Sequence, residues 1–167
     1  MDWKLNMGCG RDIIDGYVNA DSVGLPGVSL ISDFSRPFPF RDNSFSAVNA
    51  VNVIEHLPDT VRVMEEIWRV SKAGAKIHIK VPHYKSSNAF KDPTHRSFFT
   101  EDSFEYFDSG EISWYSKARF KVSSVKKIYQ YHIERYVRRP LPRLLPFVER
   151  FFDNTVESLE FDLVVVK

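Results

Sequence analysis

The sequence predicts a single α/β domain built on a mostly parallel sheet, and three observations indicate this. Short apolar runs follow one another between turns, one amphipathic segment has helical spacing, and the first run leads into two glycines one residue apart. With 167 residues, 43% of them hydrophobic, the chain can bury a sizeable core as one domain. A parallel sheet binds ligands at the carboxyl ends of its strands, so the site is expected there.

The first strand and the turn after it carry the strongest signal. Trp3–Met7 has the length of a buried strand and is followed by Gly8 and Gly10. Because glycine has no Cβ atom, the backbone can turn sharply here and a ligand can approach it closely. The turn therefore suits a nucleotide-like cofactor.

The residues after this turn argue against a dinucleotide. The phosphate-binding pattern G-x-G-x-x-G would need a third glycine where Ile13 stands, and an acid about 20 residues further on. The first strand-end acid is Asp21, eleven residues after Gly10, and residues 11–16 have room for one helical turn at most. A pyrophosphate would lack a helix dipole, which favours S-adenosylmethionine, a cofactor without phosphate, over NAD or FAD.

The remaining elements follow in order. Asp59 is a predicted N-cap, Val61, Met64, Ile67 and Trp68 have helical spacing, and Gly74 is a predicted helix stop. Residues 100–103 resemble a helix start, and a short helix is expected at 142–152 despite its prolines. The predicted helix spans 60–71, and the predicted further strands span 17–21, 28–32, 46–51, 75–81, 120–131 and 159–166.

Three motifs in the right order extend this interpretation to a family. The chain reads LNMGCG at 5–10, PFRDNSF at 39–45 and VIEHL at 53–57. Over residues 4–81 it resembles the class I S-adenosylmethionine-dependent methyltransferases, small-molecule branch, and beyond that only in architecture. The resemblance implies a Rossmann-like three-layer sandwich with a mostly parallel seven-stranded sheet, order 3-2-1-4-5-7-6, whose last two strands form an antiparallel pair at the edge.

The resemblance also implies a cofactor site. Gly8 and Gly10 would flank the methionine portion, Asp21 would accept from the ribose hydroxyls, and Asp33 from the adenine amino group. Asn6 departs from the family pattern, in which an acid is usual, and cannot pair with the ammonium as a charge. The complete implied set is Asn6, Met7, Gly8, Gly10, Asp21, Ser22, Asp33, Phe34, Val51, Asn52 and His56.

The loop from Pro82 to Thr100 is the expected place for chemistry. His83 and His95 have a suitable intrinsic pKa for a general base, and Asp92 is expected to orient one of them. These three are the candidate catalytic residues. Tyr84, Phe90 and Arg96 are the candidate substrate residues, with Arg96 holding an anionic group.

Alternatives to that interpretation stay open. Asp92, Pro93 and Thr94 are also good turn residues. A metal site from His83, Asp92 and His95 is conceivable by residue type, but the spacing is no metal signature, so no metal site is predicted. Glu55 and His56 either shape the acceptor side or tie their loop to the next helix.

Charge is uneven along the chain. Residues 115–150 contain ten lysines and arginines against two glutamates, within a chain of net charge +1. Residues 136–152 mix arginines with bulky apolar side chains. This basic stretch could contact an anionic membrane surface, an anionic acceptor or RNA, or close the core or a dimer contact.

We expect one domain over residues 1–167, with an inserted or extended lid at about 82–118 and 132–156 that includes Ile112 and Trp114. No leader or membrane span is recognised, so a cytoplasmic protein, monomer or homodimer, is expected. Cys9 is the sole cysteine, which excludes an internal disulfide.

The sequence therefore favours an enzyme that moves a methyl group from S-adenosylmethionine to oxygen or nitrogen of a small or carrier-linked acceptor, releasing S-adenosylhomocysteine. One alternative is a protein that binds the cofactor but transfers nothing, which Asn6 and the short segment before Asp21 suggest. A third is an RNA methyltransferase, which rests only on the basic stretch.

Overall fold

A computed structural model describes residues 2–108 and 115–167. Its centre is a seven-stranded sheet of order β3-β2-β1-β4-β5-β7-β6. The strands are β1 (Trp3–Met7), β2 (Val18–Asp21), β3 (Leu30–Ile31), β4 (Phe45–Val51), β5 (Ser71–Pro82), β6 (Arg119–Tyr129) and β7 (Val156–Val166). The α-helices are α1 (Thr60–Val70), α2 (Ser87–Lys91), α3 (Tyr131–Ile133) and α4 (Leu145–Phe151).

The sheet confirms the predicted order. Strands β1 to β5 pair in parallel, and β7 runs antiparallel to both β5 and β6. The antiparallel strand is therefore β7, one position in from the edge strand β6. Parallel pairing brings the ends of β1, β2 and β4 to one edge of the sheet, where the glycine turn follows β1.

One face of the sheet is covered by α1. Asp59 caps this helix by accepting a hydrogen bond from the Arg62 backbone N–H at 3.0 Å, as predicted. Met64 and Ile67 are fully buried, and so are Ile77 and Phe161 of the sheet. Burying one such side chain contributes roughly 1.5–3 kcal/mol to the free energy of folding. The side chains between α1 and the sheet therefore form the principal core.

The opposite face carries a line of paired polar residues across six strands. We call it the polar row. It consists of two hydrogen-bonded groups and contains Asn19, Asn6, Asn49, His78, Asp162 and Ser124. In the first group the side chains of Asn19, Asn6 and Asn49 are linked at 2.8 and 2.9 Å. In the second, Asp162 accepts from His78 at 2.9 Å and from Ser124 at 2.8 Å.

Local differences from the sequence prediction have simple causes. The helix α1 ends at Val70 because Ser71 already has extended backbone, so Gly74, with φ +74°, lies in β5 and is no helix stop. Residues 100–104 form turns before a 3₁₀ turn at Glu105–Phe107, not an α-helix. Ile112 and Trp114 of the expected lid lie outside the described residues.

The basic stretch contains β6, and after this strand it folds as several short helical pieces that continue to Phe151. A π-helical turn at Glu134–Arg138 follows α3, and a 3₁₀ turn at Pro142–Leu144 precedes α4. Seven large apolar side chains over residues 131–152 are exposed, whereas Ile133 is buried: Tyr131, Tyr136, Leu141, Leu144, Phe147, Phe151 and Phe152. No helix within the described residues is long and apolar enough to cross a bilayer.

Candidate active site

The glycine turn has the geometry that the sequence predicts. Gly8 and Gly10 have φ of +62° and +51°, values that L side chains rarely adopt. A Cβ atom on Gly8 would overlap the Val53 side chain, whereas one on Gly10 would meet no atom within 4 Å. The turn therefore packs against the residues that follow β4 and leaves open space beside Gly10.

Asp21 lies at the end of β2, beside this open space. One carboxylate oxygen accepts the Gly10 backbone N–H at 2.8 Å, and the other accepts the Val23 backbone N–H at 2.9 Å. The Ser22 hydroxyl stands 3.5 Å from the second oxygen. A carboxylate offers about four acceptor positions, so Asp21 can still accept from a ligand hydroxyl.

Asn6 does not face the open space beside Gly10, which corrects the expectation from the sequence. Its side chain is 2% exposed and donates to the Asp12 carbonyl at 2.7 Å and to Asn19 at 2.8 Å, while its oxygen accepts from Asn49. Both amide protons are thus used inside the protein. The amide at this position serves the polar row, where an acid could not donate.

The other cofactor candidates divide by burial. Met7 and Phe34 are buried, so Met7 can offer only backbone, while Phe34 packs edge-on against Phe38. Asp33 is exposed, and the hydrogen bonds from Ser35 hold the pKa of its carboxyl below the ordinary value. Val51 ends β4, and the exposed Asn52 adopts φ +51°.

A cavity of about 650 Å³ opens at this edge of the sheet. Asn52, which directly precedes the Val53 that Gly8 contacts, forms part of its wall. The polar and charged side chains around it are Asn52, Glu55, His56, Lys80, Asn88, Lys91, Asp92, His95, Glu157 and Ser158. A small molecule fits a cavity of this size.

Three of these residues form a compact group that we call the edge cluster: Glu55, His56 and His95. One carboxylate oxygen and one nitrogen from each ring lie within 4.8 Å of one another. The two rings meet edge to face, with their centres 4.6 Å apart. The backbone carbonyl of Glu55 accepts the N–H groups of Arg96 and Ser97 at 2.7 and 3.2 Å, which ties the loop of His95 to the end of β4.

Glu55 is the most unusual residue of the edge cluster. It is 1% exposed, and neither carboxylate oxygen has a hydrogen-bond partner among residues 2–108 and 115–167. Burial raises the pKa of this carboxyl to about 7, with the nearby backbone amide of Glu55 itself and His95 opposing the shift only in part. A buried, unsatisfied carboxylate costs stability, which makes the position a candidate for a functional role.

Both histidines of the edge cluster are held through Nδ1. The Thr94 hydroxyl donates to Asp92 at 2.7 Å, so its oxygen must accept from Nδ1–H of His56 at 2.8 Å. His95 Nδ1 stands 2.8 Å from the Ala89 carbonyl, which can only accept. Each neutral ring therefore carries its lone pair on Nε2. Burial and the neighbouring His95 lower the pKa of His56.

His83 is separated from the other two catalytic candidates. It is 4% exposed, does not border the cavity, and has Nε2 3.7 Å from Glu101. Burial lowers the pKa of this ring, against the opposing effect of Glu101. Asp92 was expected to orient His83 or His95, but its side chain reaches His56 instead, through the Thr94 hydroxyl.

The substrate candidates do not border this cavity. Tyr84 and Phe90 line a separate shallow cavity of about 340 Å³, and Phe90 stacks on Phe98 at 4.6 Å between ring centres. Arg96 is exposed. Glu55 was weighed in the sequence but not assigned to the site, and the motif VIEHL was the only signal that could have found it.

The residues present fit an adenosyl sulfonium. Open space beside Gly10, free acceptor positions on Asp21 and the adjoining cavity together offer a turn, a ribose acceptor and room for an acceptor molecule. The amide of Asn6, whose hydrogen bonds are made within the protein, offers no charge to the ammonium of such a ligand.

Comparison with known proteins agrees with this geometry. Residues 9–79 match a family model described as methyltransferase domain. Cycloartenol-C-24-methyltransferase 1 of Oryza sativa subsp. japonica is 38% identical over 71 residues, which cover 38% of this chain and 21% of the relative. The chain thus spans about a fifth of the length of that curated relative.

Solved structures show the same fold. A SAM-dependent methyltransferase from Archaeoglobus fulgidus superposes with a TM-score of 0.65 at 18% identity, covering 98% of this chain and 86% of that one. A complex between the Haloferax volcanii Trm112 methyltransferase activator and a methyltransferase gives 0.62 at 18% identity, covering 99% and 83%. The expected fold is confirmed, and residues 9–79 match the methyltransferase-domain family that the sequence motifs indicate.

Proposed function

We propose that this chain, whose residues 9–79 belong to the methyltransferase-domain family and whose sheet has the class I methyltransferase fold, transfers a methyl group from S-adenosylmethionine to an acceptor held beside the edge cluster. The observation that carries the proposal is the contact between the glycine turn and Val53. It sets the turn against Val53, whose neighbour Asn52 lines the cavity bordered by Glu55, His56 and His95.

The chemistry asks little of the protein beyond positioning. When bound, S-adenosylmethionine supplies a methyl group on a positively charged sulfur, which leaves as a neutral thioether. Holding an acceptor in line with such a group is worth up to about 7–11 kcal/mol. Asp21 and the turn at Gly8 and Gly10 would fix the cofactor end, and the cavity walls would fix the acceptor.

The acceptor must also lose a proton, and an acceptor in the cavity would have the edge cluster beside it. Positioned proton transfer contributes on the order of 10²–10⁴-fold. An oxygen or nitrogen acceptor of small or carrier-linked type suits the cavity, and oxygen is favoured because imidazoles assist hydroxyl deprotonation. The rice relative is named for cycloartenol, a small molecule, which supports a small acceptor.

Titration calorimetry with S-adenosylhomocysteine tests the cofactor site. We expect one molecule per chain, and a 10- to 100-fold weaker affinity in Asp21→Asn because the variant loses the charge that the ribose hydroxyls approach. Asp15→Asn, an exposed acid in the same connection between β1 and β2, is the matched control and should bind normally. Absence of binding at millimolar ligand by the wild-type protein would contradict the proposal.

A second assay distinguishes a methyltransferase from a protein that binds the cofactor but transfers no methyl group. S-adenosylhomocysteine release is followed with catechol and with ethanolamine as probes of hydroxyl and amine acceptors. Release that depends on either probe supports transfer, whereas tight cofactor binding with no release favours the sensing alternative. A cytoplasmic location remains a prediction.

We also propose that the basic stretch contacts an anionic membrane surface. Its exposed aromatic side chains, among them Phe147 and Phe151, stand next to arginines, and Arg150 lies over the Phe151 ring at 5.8 Å. Apolar insertion together with basic charge is the combination that anionic lipid attracts. The protein should co-sediment with vesicles of phosphatidylserine and not with vesicles of phosphatidylcholine. The double variant Phe147→Ser, Phe151→Ser should no longer co-sediment with either kind of vesicle. Equal sedimentation with both vesicles would contradict this contact.

A further inference from the structure

The geometry points to a divalent metal site at the edge cluster, with Glu55, His56 and His95 as ligands and an oxygen of the acceptor as an additional ligand. The part of this inference that concerns the acceptor rests on the proposed function. The metal site itself rests on the three side chains, and three observations support it.

The first observation is the unpaired carboxylate. Glu55 is 99% removed from solvent, and both its oxygens lack a hydrogen-bond partner within the described parts of the chain. Buried charges in proteins are paired or coordinate metals. The nearby Asp92 is itself an anion, so a cation held jointly with the rings of His56 and His95 would supply the missing partner.

The second observation is the ligand set. One oxygen and two imidazole nitrogens within 4.8 Å of one another can close on one ion at bond lengths of about 2.0–2.2 Å after small side-chain movements. Two imidazoles and one carboxylate bind first-row divalent cations and leave coordination positions open. Those positions face the cavity that the three residues border.

The third observation is the outer set of hydrogen bonds. Metal-bound histidines almost always donate their other ring N–H to a carbonyl or carboxylate. Here His95 is held by the Ala89 carbonyl, and His56 by Thr94 and, through it, Asp92. Both rings are thereby fixed with Nε2 as the free ligand atom, before any metal arrives.

A cation at this place would occupy the Nε2 lone pairs of both rings, so it would activate the acceptor in place of a free imidazole. A bound divalent ion lowers the pKa of a coordinated hydroxyl, so its proton can leave to solvent near neutral pH. The cation is not consumed and no electron is transferred. The acceptor class that benefits most is a hydroxyl with a neighbouring oxygen, because two oxygens can occupy two open positions on one ion.

Metal binding is measured without cofactor or acceptor. Chelator-treated protein is titrated with Zn²⁺ and with Mn²⁺ by calorimetry, and Co²⁺ absorption reports the coordination. We expect one ion per chain, at least tenfold weaker binding in Glu55→Gln and in His95→Gln, and a smaller weakening in Thr94→Val. The matched control is His78→Gln, which removes the exposed histidine paired with Asp162 and should leave the affinity unchanged.

The outcomes separate this inference from the proposed function. The melting temperature and S-adenosylhomocysteine binding of Glu55→Gln show that the variant is folded, so its loss of metal would be specific. No ion bound by the wild-type protein at millimolar metal, equal affinity in Glu55→Gln, or loss of the ion in His78→Gln would each overturn the metal site. Metal binding without cofactor binding would instead remove the proposed function and leave the metal site standing.

Discussion

The edge cluster and the polar row place histidines and carboxylates on one sheet under opposite conditions. In the polar row, Asp162 is 60% exposed at its side chain and accepts from His78 and Ser124. In the edge cluster, Glu55 is 1% exposed and accepts from no described residue. The carboxylate of the polar row thus has hydrogen-bond partners in the protein although water can reach it. The carboxylate of the edge cluster has none in the described residues although water cannot reach it. That difference, more than residue type, separates a supporting arrangement from a reactive one.

The largest effect is expected inside the polar row. Asn6→Ala removes a buried amide and takes the hydrogen-bond partner from the Asp12 carbonyl and the half-buried Asn49 amide, while Asn19 keeps its bonds to Ile14 and Tyr17. Each unsatisfied buried group costs about 1–3 kcal/mol, so the free energy of unfolding should fall by about 3 kcal/mol. Urea unfolding measures it. A loss under about 0.5 kcal/mol would show that the polar row is not a supporting network.

The next largest effect, that of Glu55→Gln, is a gain in the free energy of unfolding. In metal-free protein, burial raises the Glu55 pKa to about 7 from an ordinary value near 4.5, so the folded state loses stability as pH rises from the lower value through the higher one. Glu55→Gln removes this loss, and we expect it to be about 2 kcal/mol more stable than wild type at pH 8, with little gain at pH 4. Unfolding curves at both pH values test this. A variant less stable than wild type at pH 8 would show that the Glu55 carboxylate is paired with a cation in the metal-free protein.

His83 is an intermediate case, buried but close to an acid. Burial lowers its pKa, so its contribution to stability is present above the unfolded value and lost as pH falls through the folded one. Glu101 and Lys127, which form a 2.7 Å ion pair, face this ring and Glu101 opposes the shift. His83→Gln should lose less stability between pH 7 and pH 5 than wild type. Thermal melting measures the difference, and identical pH profiles would exclude a structural role for His83.

The smallest effect is expected at the exposed end of the polar row. Asp162→Asn keeps one of the two oxygens that accept from His78 and Ser124 and replaces the other with an NH2 group, and exposed pairs are worth at most about 1 kcal/mol. We expect a change below about 0.5 kcal/mol by urea unfolding and no change in Zn²⁺ affinity. A loss of several kcal/mol would erase the distinction between the two regions.

Local patterns were enough to predict much of the fold from the sequence. The apolar run before Gly8, the cap at Asp59 and the alternation through Ile77 and Ile79 specify their elements directly, because each depends on neighbours in the chain. The order of the strands came from the resemblance to a family. Gly74 misled because a glycine after a helix also suits the start of a strand.

The site was less predictable because it depends on packing between distant segments. Whether His83 or His95 reaches Glu55 is decided by how residues 92–97 attach to the Glu55 carbonyl. The amide of Asn6 on β1 forms hydrogen bonds with Asn19 on β2 and Asn49 on β4, which lie 13 and 43 residues away in the sequence. No spacing along the chain reveals that Glu55 is left without a partner.

The most direct test is a crystal structure with S-adenosylhomocysteine bound. We predict the ribose on the Asp21 carboxylate, the adenine beside Asp33, and the sulfur directed into the cavity bordered by Glu55, His56 and His95. A ligand bound elsewhere, for example against the polar row beside His78, or a sulfur directed away from the edge cluster, would contradict the account.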